Sequence, residues 1–87
     1  MIQAASNALT AAQNTLGEGE KIVQILSLTV YLNATEDYTT HAKVGDIVSG
    51  WLYEQLGDAG IGARAAIGLA TLPGNAPVEV QLVAAAE

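Results

Sequence analysis

The sequence predicts an α+β domain of order α-β-α-β-β, with a mixed sheet covered on one face by two helices. Three observations predict it. The front of the chain carries an apolar period of three and four residues, a β-branched run follows that is too continuously apolar for a surface helix, and two further strand-like runs are set off by Gly and Pro breaks. The 87 residues make one domain, 1–87.

The first element is a helix over residues 2–16. Ile2, Ala5, Leu9, Ala12 and Leu16 share a narrow stripe opposite Gln3, Thr10 and Asn14, and Gly17 is a natural stop. So slender a stripe needs a flat surface such as a sheet to lie on. Residues 21–33, "KIVQILSLTVYLN", place Ile22, Leu26, Leu28, Val30 and Leu32 on one face and Val23, Ile25, Ser27, Thr29 and Tyr31 on the other. Both faces are largely apolar, which reads as a central strand covered on two sides. "NATEDYTT" is turn chemistry rich in N-cap residues. A second helix then runs to about residue 56, its apolar face made by Val44, Ile47, Val48, Trp51, Leu52 and Leu56. Gly45 and Gly50 each weaken that helix by roughly 1 kcal/mol relative to alanine, a cost that a close approach to a neighbour would justify. "GDAGIG" breaks the chain before a strand at about 62–71, "LPGNAP" is a loop, and 77–85 is a last strand. Locally the last two strands look like a hairpin, although the loop also leaves room for a crossover.

Three Lys/Arg stand against nine Asp/Glu, for a net charge of −6. A phosphate backbone would be repelled, and no basic stripe with interleaved aromatics offsets that, so nucleic acid is not an expected partner. No signal-peptide pattern or run of membrane-spanning length is present, and a cytoplasmic location is the expectation. There is no cysteine and His41 is the only histidine, so neither a disulfide nor a metal site is expected. No cofactor motif or nucleophile–base pair appears. A chain this small and this apolar points to oligomerisation for extra burial.

The chain's one arginine, Arg64, opens the strand that follows Gly62. Alternation puts Arg64, Ala66, Gly68 and Ala70 on one face and Ala65, Ile67 and Leu69 on the other. The second face reads as core. The first is a row of very small side chains headed by a guanidinium, which leaves volume for a compact carboxylate beside a fixed cation. In the last strand Val78, Val80 and Leu82 share one face, with Glu79 and Gln81 on the other. The plainer reading keeps Arg64 as a surface charge paired with Glu79. His41 reads as a surface residue, Trp51 and Tyr53 as core or interface, and the acidic turns as solvated caps.

"ARAAIGLATLP" followed by "VEV" resembles the signature of the RidA/YjgF family. "NALTAAQNTLGEGEKIVQILSLTVYLN" and "DYTTHAKVGDIVSGWLYEQLGDAGIGAR" are similar to that family's helix, central strand and second helix. The resemblance implies a chorismate-mutase-like fold and a homotrimer with ligand clefts between subunits. It implies hydrolysis of enamines and imines of the 2-aminoacrylate type to 2-keto acids and ammonia. Arg64 matches the arginine that grips the substrate carboxylate, with Ala66 and Gly68 beside it as substrate-binding positions. Glu79 matches the acid that positions the attacking water. Three departures accompany the match. Ala66 stands where related enzymes have a cysteine, and Asp46 falls near, without clearly matching, a helix asparagine that lines some family clefts. The chain also begins at the first helix, without the family's N-terminal strands. In the family fold the last strand lies beside the central one, so residues 77–85 should form an edge, in a partial chain or in an assembly where another subunit covers it. The alternative function is a non-catalytic trimer that binds a small carboxylate or serves structure. Endoribonuclease activity, ascribed to some relatives, is opposed by the acidic charge.

Overall fold

The computed structural model describes residues 2–87. Helix α1 (Ile2–Asn14) is followed by strand β1 (Ile22–Asn33), helix α2 (His41–Leu56), a short 3-10 turn (Gly57–Gly60), strand β2 (Ala63–Leu69), a second 3-10 turn (Pro73–Asn75) and strand β3 (Val78–Ala86). The strand order is β2-β1-β3. β1 runs parallel to β2 and antiparallel to β3. The sheet is therefore mixed, and β1 is central. The last two strands flank β1 and do not form a hairpin, so the loop between them crosses its C-terminal end. Asn33 fixes that crossing: its backbone N–H donates to the Pro77 carbonyl, and its side-chain amide donates to Asn75 and to the Ala76 carbonyl, each at 3.2 Å.

Both helices lie on one face, α1 over β3 and α2 over β2. The core forms between them from Ala5, Leu9, Leu28, Val30, Leu32, Val48 and Leu52, with Val78, Val80 and Leu82 packed against it. α1 buries only Ala5 and Leu9, the narrow stripe that its sequence carries. α2 ends at Gly57, whose φ of 63° is a left-handed conformation that costs glycine little, and whose N–H donates to the Tyr53 carbonyl.

Several side chains fall on the face opposite to the one their spacing predicts. The expectation that β1 is covered on two sides holds for one side only: the face away from the helices exposes Ile67 and Leu69 of β2 and Val83 of β3. Leu26 is 52% exposed, not part of the core face. One extra residue of β1 against β3 between Ile25 and Ser27 slips the alternation, so Ile25 and Leu28, three apart, are both buried. Ile47 is 46% exposed because it stands about 100° round the helix from buried Val48. No helix of the described residues is long and apolar enough to cross a membrane.

Candidate functional site

The face of β2 that carries Arg64, Ala66 and Gly68 lies under α2. Arg64 pairs in the sheet with buried Leu28, and side chains of paired residues share a face. The core assignment of Ala65, Ile67 and Leu69 is therefore reversed: Ile67 and Leu69 are 42% and 38% exposed. The row beside Arg64 is only partly open: at Ala66 the small side chains let α2 descend, whereas Gly68 and Ala70 are exposed and line a depression. A Cβ on Gly45 would stand 3.4 Å from the Ala66 Cβ, and a Cβ on Gly68 would stand 2.5 Å from Nε2 of His41. Small residues here serve close packing of helix on strand. Gly45 fulfils the close approach expected of it. Gly50 does not, since a Cβ there would meet nothing within 4 Å.

Arg64 is seated by the same helix. Counting 100° per residue from Val48, which faces the sheet, Gly45 lies on one flank, Ser49 farther round, and Asp46 almost opposite the core. The arginine side chain leaves the sheet under Gly45 and follows that flank outward. A Cβ on Gly45 would stand only 3.2 Å from both Cζ and Nε, so the missing side chain clears the path. At the far end Nη1 donates to Oδ1 of Asp46 at 2.7 Å and to Oγ of Ser49 at 3.3 Å. The side chains are 27% (Arg64) and 71% (Asp46) exposed. Nε and Nη2 have no hydrogen-bond partner among the described residues, so one edge of the guanidinium fork is unspent. Two parallel N–H donors on that edge match a carboxylate.

Glu79 is not the ionic partner of Arg64; Asp46 is. Glu79 pairs in the sheet with Tyr31, on the face away from the helices, and β1 separates its strand from that of Arg64. The two residues are about 10 Å apart across the sheet and about 10 Å along it, on opposite faces. One chain does not bring them together. Ala66 and Gly68 share the face of Arg64; α2 half-buries Ala66, whereas Gly68 is exposed beside the His41 ring and lines a depression.

His41, expected on the surface, is half-buried. Its ring stands edge-on to Tyr38 with centroids 5.0 Å apart and rests over Gly68. The pair borders a depression of about 330 Å³ that also includes Thr35, Glu36 and Leu69. A larger apolar groove of about 540 Å³ adjoins it, lined by Leu32, Val44, Tyr38 and Val78. Both lie toward the C-terminal end of β1, whereas Arg64 lies near its middle. Asp46 was visible in sequence only as a neighbour of an expected position. The signal that finds it is helical geometry: Gly45, Asp46 and Ser49 fall on one flank. Among the described residues no cluster of His, Asp and Glu has metal-binding geometry.

No family model matches the sequence, and no curated protein matches it. Solved structures do. A protein of unknown function from Agrobacterium tumefaciens, Atu1372, superposes with a TM-score of 0.79 at 31% identity, over 92% of this chain and 51% of its own. A "putative endoribonuclease" from Shewanella oneidensis MR-1 superposes with a TM-score of 0.83 at 31% identity, over 92% of this chain and 53% of its own. This chain thus spans about half the length of each. Both neighbours belong to the YjgF/chorismate-mutase-like superfamily, and the mixed sheet with two helices fits that chorismate-mutase-like fold.

Proposed function

We propose that this chain carries the carboxylate-gripping part of a RidA-type site, where imines of amino acids are hydrolysed to 2-keto acids and ammonia. The observation that carries the reading is the seating of Arg64: Nη1 is spent on Asp46 and Ser49, and the Nε–Nη2 edge is unspent. A ligand carboxylate on that edge would be fixed in position and in plane. The family resemblance of "ARAAIGLATLP" and "VEV" supplies the reaction.

In this reading Glu79 reaches the ligand from a neighbouring copy, since within one chain it faces the other way. Water held by Glu79 adds to C2 of the protonated imine, the C=N electron pair moves to nitrogen, and the water proton passes to Glu79. Return of that proton to nitrogen makes the amine a leaving group. The C–N bond then breaks as the hydroxyl becomes the keto group, and its proton leaves with ammonia as ammonium. The protonated imine is already electrophilic, so orientation and one base suffice.

A second reading is a carboxylate binder without turnover. The separation of Arg64 from Glu79 favours it, because a single chain offers no base beside the anchor. An RNA-directed activity, suggested by the name of the Shewanella neighbour, has less support: the net charge is −6, and one of the three cations is already paired with Asp46.

The test is release of 2-keto acid from freshly generated 2-aminoacrylate. The enzyme reading expects a rate above background that is lost in Arg64→Ala and in Glu79→Gln, and partly regained when the two variants are mixed. No rate above background in the parent protein overturns turnover. A rate lost in both variants and not regained on mixing overturns the shared site.

A further inference from the structure

Gly50 is not explained by the chain around it. A glycine inside a helix costs stability relative to alanine, and here no internal contact requires it, because a Cβ at Gly50 would meet nothing within 4 Å. Its neighbours on the helix surface are as unusual. Ile47, one turn earlier, is 46% exposed. Lys43 and Glu54, one turn farther out on either side, are exposed and have no ionic partner among the described residues. Counting 100° per residue, these four positions fall within about 60° of one another and about 130° round from Val48, turned away from the sheet. The stripe lies on the other flank of α2 from Gly45 and Ser49, which seat Arg64.

We propose that this stripe is a contact between two copies of the chain, with the two α2 helices antiparallel about a two-fold axis. The pattern is complementary to itself. Lys43 and Glu54 are equally far from the point midway between Ile47 and Gly50. An antiparallel copy centred there sets Ile47 level with the partner's Gly50 and Lys43 level with the partner's Glu54, and each contact occurs twice. The glycine lets the backbones approach where Ile47 would otherwise meet a side chain. A parallel pairing would set Lys43 against the partner's Lys43 and Glu54 against the partner's Glu54, so charge selects the antiparallel one. One helix pair buries less than the roughly 1,200 Å² of a standard interface, so the contact forms in concentrated protein and is absent in dilute protein. It is separate from the pairing that the proposed hydrolysis requires, because Glu79 lies on the sheet face away from the helices.

The test is sedimentation of the parent, Lys43→Glu and Glu54→Lys over a wide range of protein concentration, each alone and the two variants mixed in equal amounts. The parent should associate as its concentration rises. Either variant alone places like charges against each other twice and should weaken that association about tenfold or more. In the mixture every contact is again between opposite charges, so association should return to about the parent level, which a misfolded variant could not produce. Ile47→Gln, at an exposed position, should weaken the association without mutual rescue by either charge variant. Association that is equal in the parent and both variants would place it on another surface and overturn the proposal. So would a parent that does not associate, or variants that weaken and are not rescued on mixing. A trimer built through the sheet face would persist in both charge variants, so the shared site with Glu79 and this contact fail or stand separately.

Discussion

Two glycines of α2 give a paired test of how Arg64 is seated. Both lie in the helix interior, and replacing either with alanine gains about 0.8–1 kcal/mol of helix propensity. At Gly50 nothing stands within 4 Å of the new Cβ, so the whole gain is realised. For a domain of this size that corresponds to a rise in Tm of about 4–8 °C per kcal/mol. At Gly45 the new Cβ stands 3.2 Å from Cζ and Nε of Arg64 and 3.4 Å from the Ala66 Cβ, so the guanidinium must shift by a few tenths of an ångström. Its 2.7 Å bond to Asp46 is strained or lost, at a cost of about 0.2–1 kcal/mol for so exposed a pair. That cost offsets part or all of the gain. Thermal unfolding by circular dichroism, at one protein concentration, should show Gly50→Ala clearly stabilised and Gly45→Ala stabilised less than Gly50→Ala. Pyruvate affinity should fall in Gly45→Ala alone. Equal stabilisation of both variants with unchanged pyruvate binding would refute the seating of Arg64 on Gly45.

Other predictions concern the frame around that site. Leu52 is fully buried between α2 and the sheet, and Leu52→Ala should cost about 2–5 kcal/mol, read as a lower urea midpoint at constant m; a loss below 1 kcal/mol would contradict the packing. Gly68→Ala should push the His41 ring off β2, visible as a changed His41 imidazole resonance with the Arg64 side-chain signals unmoved. The hydroxyl of Thr35 donates to Asp37 at 2.6 Å, and this bond together with Asp37's own backbone N–H holds the carboxyl below its ordinary value of 3.8. The folded form thus binds the proton less readily than the unfolded chain. The contribution of Asp37 to stability is complete above that ordinary value and is lost as pH falls through the lower folded one. Comparison of Asp37→Asn with the parent across that window should show their difference shrinking toward acid; a constant difference would deny the linkage.

Much of the architecture was legible because each element carries its own period. The β-branched run from Ile22 fixed a central strand, and the stripe of Leu9 and Ala5 fixed a helix that must lie on a sheet. What escaped was set by relations between elements. The slip at Leu26 comes from one extra residue against β3, which no pattern within β1 reveals. The side of β2 that faces α2 was misassigned because Ala, Gly and Arg look like an outer face. Only the descent of a helix with Gly45 at its contact makes those small residues the inner one. The site was half legible. Arg64 stands out as the single arginine, but its partner depended on the winding of α2, which turns Asp46 and not Glu79 toward it.

The central claim is that the unspent edge of Arg64 takes a carboxylate. Because the chain has one arginine, a single Nε–H resonance in a ¹⁵N spectrum reports on it without ambiguity. Titration with millimolar pyruvate should move that resonance along a saturable curve, with smaller shifts at Gly45, Asp46 and Ser49. A resonance that stays in place while pyruvate is raised to saturating excess would contradict the account and leave Arg64 as one half of a surface ion pair.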